Sequence, residues 1–188
     1  MPPSVPDAGA DLGVDGASPS PLHRPAAAGT VVVSNAGPLI SLARLDLVTV
    51  LQSLFEEVQV PDDVIVECMA RPGNADTVRI SDALKQGLLR PCTPRVLKLP
   101  GLEIGECAAI SRALEIGAAL LVDERAARAQ AAAMGLAVTG TLGVLVRARR
   151  RGLVGPLAPL IGALRASGQR LSHQVVAQAL ADVGEVAP

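Results

Sequence analysis

The chain has 188 residues, a formal net charge of −1 and 49% hydrophobic residues, yet only 1% aromatics, with Phe55 standing alone and no Trp or Tyr. That length favours one domain with a single sizeable core, which must be built from Leu, Val, Ile and Ala. The missing aromatics argue against reading single-stranded nucleic acid by ring stacking, and the near-zero charge leaves any attraction for phosphate to a local patch.

Residues 1–29 hold six of the fifteen prolines and almost no large apolar side chains. Such a segment buries too little surface to offset its ordering entropy and is expected to be a disordered tail. From residue 30 to 184 the pattern alternates, as expected for one domain. Residues 30–34 read as a strand, followed by helices near 37–45 and 46–54. "EVQVP" is a short strand whose Pro61 suits the first turn of a helix over "PDDVIVECMAR". A helix near 75–86 leads to a third strand in "GLLRPC". "LEIGECAAISRALEIG" is helical, and Gly117 suits its C-terminal cap. "AALLVD" is a buried strand, "ERAARAQAAAMG" a helix and "LAVTG" the last strand. Helices over 141–151, 156–167 and 172–182 complete the chain. This alternation specifies a single three-layer α/β/α domain with a mostly parallel sheet of about 4–5 strands.

Cys68, Cys92 and Cys107 are odd in number and lack C-x-x-C spacing, which disfavours disulfides and zinc and fits a reducing cytoplasm. No uninterrupted apolar run reaches about 18 residues, so no membrane span is expected. The N-terminus does not read as a secretory signal.

Ligands of open parallel sheets bind beyond the carboxyl ends of the strands. Asn35 and Asp123 fall there, the latter followed by Glu124 and Arg125. An N-cap role explains Asp123 equally well. Glu106 is more telling. On a helical wheel Ser111, Arg112 and Glu115 share one side, and Glu106 falls opposite, in line with Ala109, Ile110 and Ala113. A carboxylate in a buried stripe is costly unless it is paired, protonated or bound to metal. The competing explanation is a residue near the helix start, stabilised by the macrodipole. Glu67 is spaced for an ordinary i,i+4 pair with Arg71. The tract "RARRR", with Arg147, Arg149, Arg150 and Arg151, fits either a phosphate-contacting patch or a solvated helix end. Neither His23 nor His173 has a partner for a catalytic triad. A nucleotide-binding Rossmann reading is disfavoured, because "VSNAGPL" supplies one glycine and not G-x-G-x-x-G.

Taken together, "VVSNAGPLISLARLDLVTVLQSLFEEVQVPDDVIVE", "GECAAISRALE" and "LLVDERAARAQAAAMGLAVTGTLGVLVRARRRG" resemble the PIN-domain superfamily. The likeness is to the bacterial and archaeal branch with G-E-x-x-A-I and T-G-T-L-G patterns. The resemblance implies a Mg²⁺- or Mn²⁺-dependent endoribonuclease, with Asn35, Glu67, Glu106, Asp123 and Glu124 around the metal and Glu67, Glu106 and Asp123 catalytic. It implies cleavage to a 3′-hydroxyl and a 5′-phosphate, and kinship with VapC-type toxins paired with a small antitoxin. Arg125, Arg147, Arg150 and Arg151 are the expected contacts to RNA. A homodimer is a further expectation, with "GPLAPLIGAL" serving either as its interface or as core. Asn35 stands where the nuclease pattern has Asp, so the site lacks one charge. The alternative is a catalytically weak PIN-like module that binds RNA or protein.

Overall fold

The computed structural model describes residues 30–186; the tail expected over 1–29 lies outside the described residues. Uninterrupted apolar runs form the inner strands. In β1 (Val31–Ser34) and β4 (Ala119–Leu121), the side chains of Val32, Val33, Leu120 and Leu121 are wholly buried, as in strands covered on both faces. With β2 (Glu57–Pro61), β3 (Arg90–Cys92) and β5 (Val138–Thr139) they make a five-stranded sheet in the order β3-β2-β1-β4-β5. Every pairing is parallel. Each connection must therefore cross over through helix, as the alternating pattern requires.

The helices are α1 (Ala36–Arg44), α2 (Val50–Leu54), α3 (Asp62–Cys68), α4 (Ala75–Lys85), α5 (Ile104–Ile116), α6 (Arg125–Ala133), α7 (Thr141–Arg150), α8 (Leu157–Ala166) and α9 (His173–Ala181). Helix α5 lies across β1, β2 and β4, while α1 packs against α3, α4 and α7. No helix among the described residues is long and apolar enough to cross a membrane.

Three local expectations shift. The second helix starts at Val50, not near 46, because Asp46 takes a left-handed turn (φ 60°) that closes α1. Pro61 is the last residue of β2 and the N-cap of α3, so its ring stays outside the helix. Ser111 is not on a solvated side: it donates to the Cys107 carbonyl (2.7 Å) and accepts from the Leu97 N–H (2.8 Å). The segment preceding α5 covers that side. Gly117 caps α5 with φ 63°, as its position predicts. In α8, Leu157, Ile161 and Leu164 of "GPLAPLIGAL" are buried in the core.

After β1 the chain builds one side of the sheet, then returns to β1's other edge with β4. The carboxyl ends of β1 and β4 therefore flank the switch point where such sheets bind ligands.

Candidate functional site

Asn35 follows β1 directly and is 98% buried, its N–H donating to the Leu121 carbonyl at 2.9 Å. Asn is a favoured N-cap, yet its side chain makes no cap bond to α1. The amide Nδ2 instead donates to Glu124 Oε2 at 3.2 Å, and Oδ1 is buried without a donor among the described residues. Glu124 lies over the first turn of α1, where a Cβ on Gly37 would meet its Oε1 at 2.6 Å. Only glycine at 37 lets this carboxylate approach the positive end of the helix.

Glu106 is buried in the first turn of α5, with Oε2 accepting from the Glu103 N–H at 2.9 Å. Both sequence explanations hold at once: a helix-start carboxylate, and one facing inward. Glu67, on the last turn of α3, is exposed as a residue, but no ion pair joins it to Arg71 among the described residues. Its carboxyl end reaches inward over α5. A Cβ on Gly105 would sit 3.0 Å from Glu67 Oε2 and 3.7 Å from the orphaned Asn35 Oδ1. Glycine here opens the space into which both oxygens point.

Asp123 is not the N-cap of α6; Glu124 is. Asp123 instead sits at the start of α7, accepting from Thr141 N–H (2.7 Å) and Thr141 Oγ1 (2.5 Å), and from Gln169 Nε2 (3.3 Å). A Cβ on Gly140 would meet its Oδ1 at 2.7 Å.

The electrostatics confirm the crowding. Burial pushes the Glu67 carboxyl above its ordinary value, and Glu103, Glu124 and Glu106 push it further. Burial also raises Glu106, against the Glu103 N–H bond and with Glu124 and Glu103 adding. Asp123 is raised by burial, against its two bonds from Thr141, with Glu124 raising it further and Arg128 opposing. Glu103, the N-cap of α5, thus belongs to the cluster, although the sequence reading passed over it. Its only signal was the three-residue spacing to Glu106 that marks a capping box. A cleft of about 500 Å³ exposes this edge, with Glu67, Asp123 and Glu124 in its walls alongside Arg44, Arg71 and Arg170.

A family model described as a PIN domain matches residues 31–185. The chain belongs to the PIN-domain family. No curated protein matches it. Among solved structures it is similar to a PilT N-terminus domain protein from the hyperthermophilic archaeon Sulfolobus solfataricus P2, at 15% identity and a TM-score of 0.38. That similarity covers 76% of this chain and 98% of that one, a likeness too distant to bear on function.

The fold is thus of the PIN nuclease type, and the cleft can be tested against the divalent ion such domains use. The donor chemistry fits: every donor is oxygen, as hard cations prefer, and the orphaned Asn35 Oδ1 is an acceptor that a cation would satisfy. The carboxylates already repel one another, which a cation would relieve. Among the described residues, however, no three His, Cys, Asp or Glu side chains stand placed to hold an ion. The oxygens of Asp123 are engaged by Thr141 and Gln169.

The arginines divide sharply. Arg125, at the start of α6, is exposed beside Asp123. Arg147, Arg150 and Arg151 are not at this PIN site. Helix α7 starts at the carboxyl edge and runs back ten residues, about 15 Å, carrying the tract to the opposite edge. There Arg147 lies 4.9 Å over the Phe55 ring, Arg149 pairs with Glu185, Arg150 binds the Asp182 carbonyl and Arg151 binds the Ser53 carbonyl. The structure thus places the tract away from the acidic cleft, each of its four arginines held by a neighbouring group. Replacing Arg147 by Ala is expected to cost about 0.5–2 kcal/mol through the lost cation–π contact. Replacing Arg150 or Arg151 should cost under about 0.5 kcal/mol. Denaturation midpoints and the salt dependence of RNA binding check this, and the salt slope should not move.

Proposed function

We propose that this chain is a Mg²⁺- or Mn²⁺-dependent endoribonuclease. The observation that carries the reading is the buried Asn35 Oδ1, without a donor, opening toward Glu67 Oε2 across the space left by Gly105. Asn35, Glu67, Glu106 and Glu124 would hold the ion once their side chains draw together around it, with Asp123 joining if it exchanges its bond from Gln169. When bound, the ion supplies positive charge beside the scissile phosphate and makes water more acidic. The chain's own part is positional. Three helix starts (α1, α5 and α7) hold carboxylates at one sheet edge, and Arg71 and Arg170 offer guanidinium groups to the phosphates beside them.

The test is cleavage of a 5′-labelled structured RNA by the full chain with Mg²⁺ or Mn²⁺, against the same reaction in EDTA. Glu106→Gln keeps an acceptor for the Glu103 N–H, so it should fold, yet lose about a hundred-fold in rate, equivalent to roughly 2.7 kcal/mol. The pH response has a defined sign. Because the Glu106 carboxyl is raised above its ordinary 4.5, cleavage should climb as pH rises through that raised value. Metal-free stability contributed by the protonated carboxyl is full below 4.5 and declines over the same window. Glu106→Gln should lack that decline. Cleavage that survives EDTA or Glu106→Gln would sink the proposal.

A second reading has its own observation. Asn35 Nδ2 bonded to Glu124, and Asp123 bonded to Thr141 and Gln169, are contacts the cluster makes without an ion. In that case the chain binds RNA or protein without cleaving, and the EDTA comparison shows no difference. The resemblance to toxin ribonucleases extends our proposal to a small antitoxin protein as partner. Co-purification with the product of a short neighbouring reading frame tests that extension.

A further inference from the structure

A second cavity, of about 450 Å³, opens on the other side of Asp123, between the starts of α6 and α7 and the length of α9. Its walls are aliphatic, from Leu142, Val146, Leu171, Val175 and Ala179, and Arg125, Arg128 and Arg170 stand around it. Two acids also line it, and both are engaged: Asp123 by Thr141 and Gln169, Asp182 by Arg150. Arg128 donates to the Val122 carbonyl at 2.9 Å. Arg125 and Arg170 are exposed, and among the described residues no ion pair holds either. Between the two cavities lies Gln169, whose Nε2 is spent on Asp123 while its Oε1 is buried with no donor among the described residues.

We propose that this cavity is a subsite for one nucleotide of single-stranded RNA, its base against the aliphatic walls and its phosphates on Arg125 and Arg170. The proposal rests on the nuclease reading, because the cavity adjoins the acidic cleft through Asp123, Gln169 and Arg170. Three features select a nucleotide over an apolar peptide. The cations not held in ion pairs stand at the mouth, as phosphates require. The orphaned Gln169 oxygen needs an N–H, which a base edge supplies. The volume falls in the range of small-molecule sites, about 300–1,000 Å³. Rings are absent from the walls, but unstacked bases also pack on guanidinium planes.

The experiment uses the full chain in EDTA, where no cleavage interferes, and 2′-O-methyl RNA trinucleotides whose central nucleotide carries a base or is abasic. Calorimetric titration should show the base-bearing probe binding roughly ten-fold more tightly. Val175→Phe, which fills the cavity, should bring the two probes to equal affinity while leaving the abasic one unchanged. Gln169→Leu should weaken only the base-bearing probe, and it carries the comparison if Val175→Phe fails to fold. Equal affinities in the unmodified chain overturn the subsite. So does binding of neither probe, which leaves the cavity to a peptide. Base-dependent binding without metal-dependent cleavage keeps the subsite and removes the nuclease reading; cleavage without base dependence does the reverse.

Discussion

Gly105→Ala is expected to leave folding intact or slightly improved while cutting metal-dependent cleavage by about a hundred-fold. The new methyl would lie 3.5 Å from Val64 Cγ2, an ordinary contact, and 3.0 Å from Glu67 Oε2. The latter is the far end of an exposed side chain, so it can swing aside at little cost. Alanine in a helix is better than glycine by up to about 1 kcal/mol, less so in the first turn. Stability therefore has no reason to fall. Function does, because the methyl enters the space between Glu67 Oε2 and Asn35 Oδ1. Thermal denaturation, a Mn²⁺ titration and the cleavage rate should separate accordingly: midpoint kept or raised, ion affinity and rate lost. A Gly105→Ala protein with full activity would place the chemistry elsewhere in the fold.

The second large effect concerns Asn35. Its amide now donates to Glu124 Oε2 at 3.2 Å, and Asn35→Asp would set oxygen against oxygen. Two charges about 4 Å apart repel by ~4 kcal/mol at an effective dielectric near 20. Glu124 is exposed and can retreat, so about 1–3 kcal/mol of metal-free stability should be lost at pH 7. The new carboxyl would be raised by burial and by Glu124. The stability of its protonated form is therefore full below about 3.9, the ordinary Asp value, and disappears as pH rises through the raised one. A divalent ion reverses the balance. The added charge should tighten Mg²⁺ or Mn²⁺ binding by five- to a hundred-fold, roughly 1–3 kcal/mol after desolvation. Melting of the variant should thus depend steeply on Mg²⁺, where the parent responds weakly. If ion affinity does not change, the Asn35 amide is a strut between β1 and Glu124 and nothing more.

The strands were legible because their sequences carry one message: "VVV" and "ALLV" are apolar without interruption, which in a short run means burial on both faces. Asn35 and Asp123 were legible as sheet-edge residues for the same reason, since they end those runs. What they bind was not. Asp123 looked like the cap of the helix that follows it, but its partner is Thr141, eighteen residues on and starting a different helix. A local pattern cannot announce a bond made across a crossover. The arginine tract was legible only in part. Five residues rich in charge read as a surface whose function is outward, yet Arg147 covers the chain's one aromatic ring. That pairing depends on α7 packing on α2, information held in tertiary contacts alone. Gln169 and Arg170 lie in a loop with no periodic signal, and only the two cavities they border give them meaning.

The backbone N–H of Asn35 donates to Leu121 of β4, beside the register that pairs Ser34 with Leu121. Asn35 and Glu67 belong to the part of the chain that builds β1 to β3, whereas Glu106, Asp123 and Glu124 come with β4 and its flanking helices. This one hydrogen bond therefore spans the seam between two halves, at the residue that also contributes the unsatisfied oxygen. Its rate of hydrogen–deuterium exchange would count how often the seam opens. Protection that rises with added Mn²⁺ would show the ion acting as a clasp between the halves, joining parts that the chain brings together only by returning to its central strand.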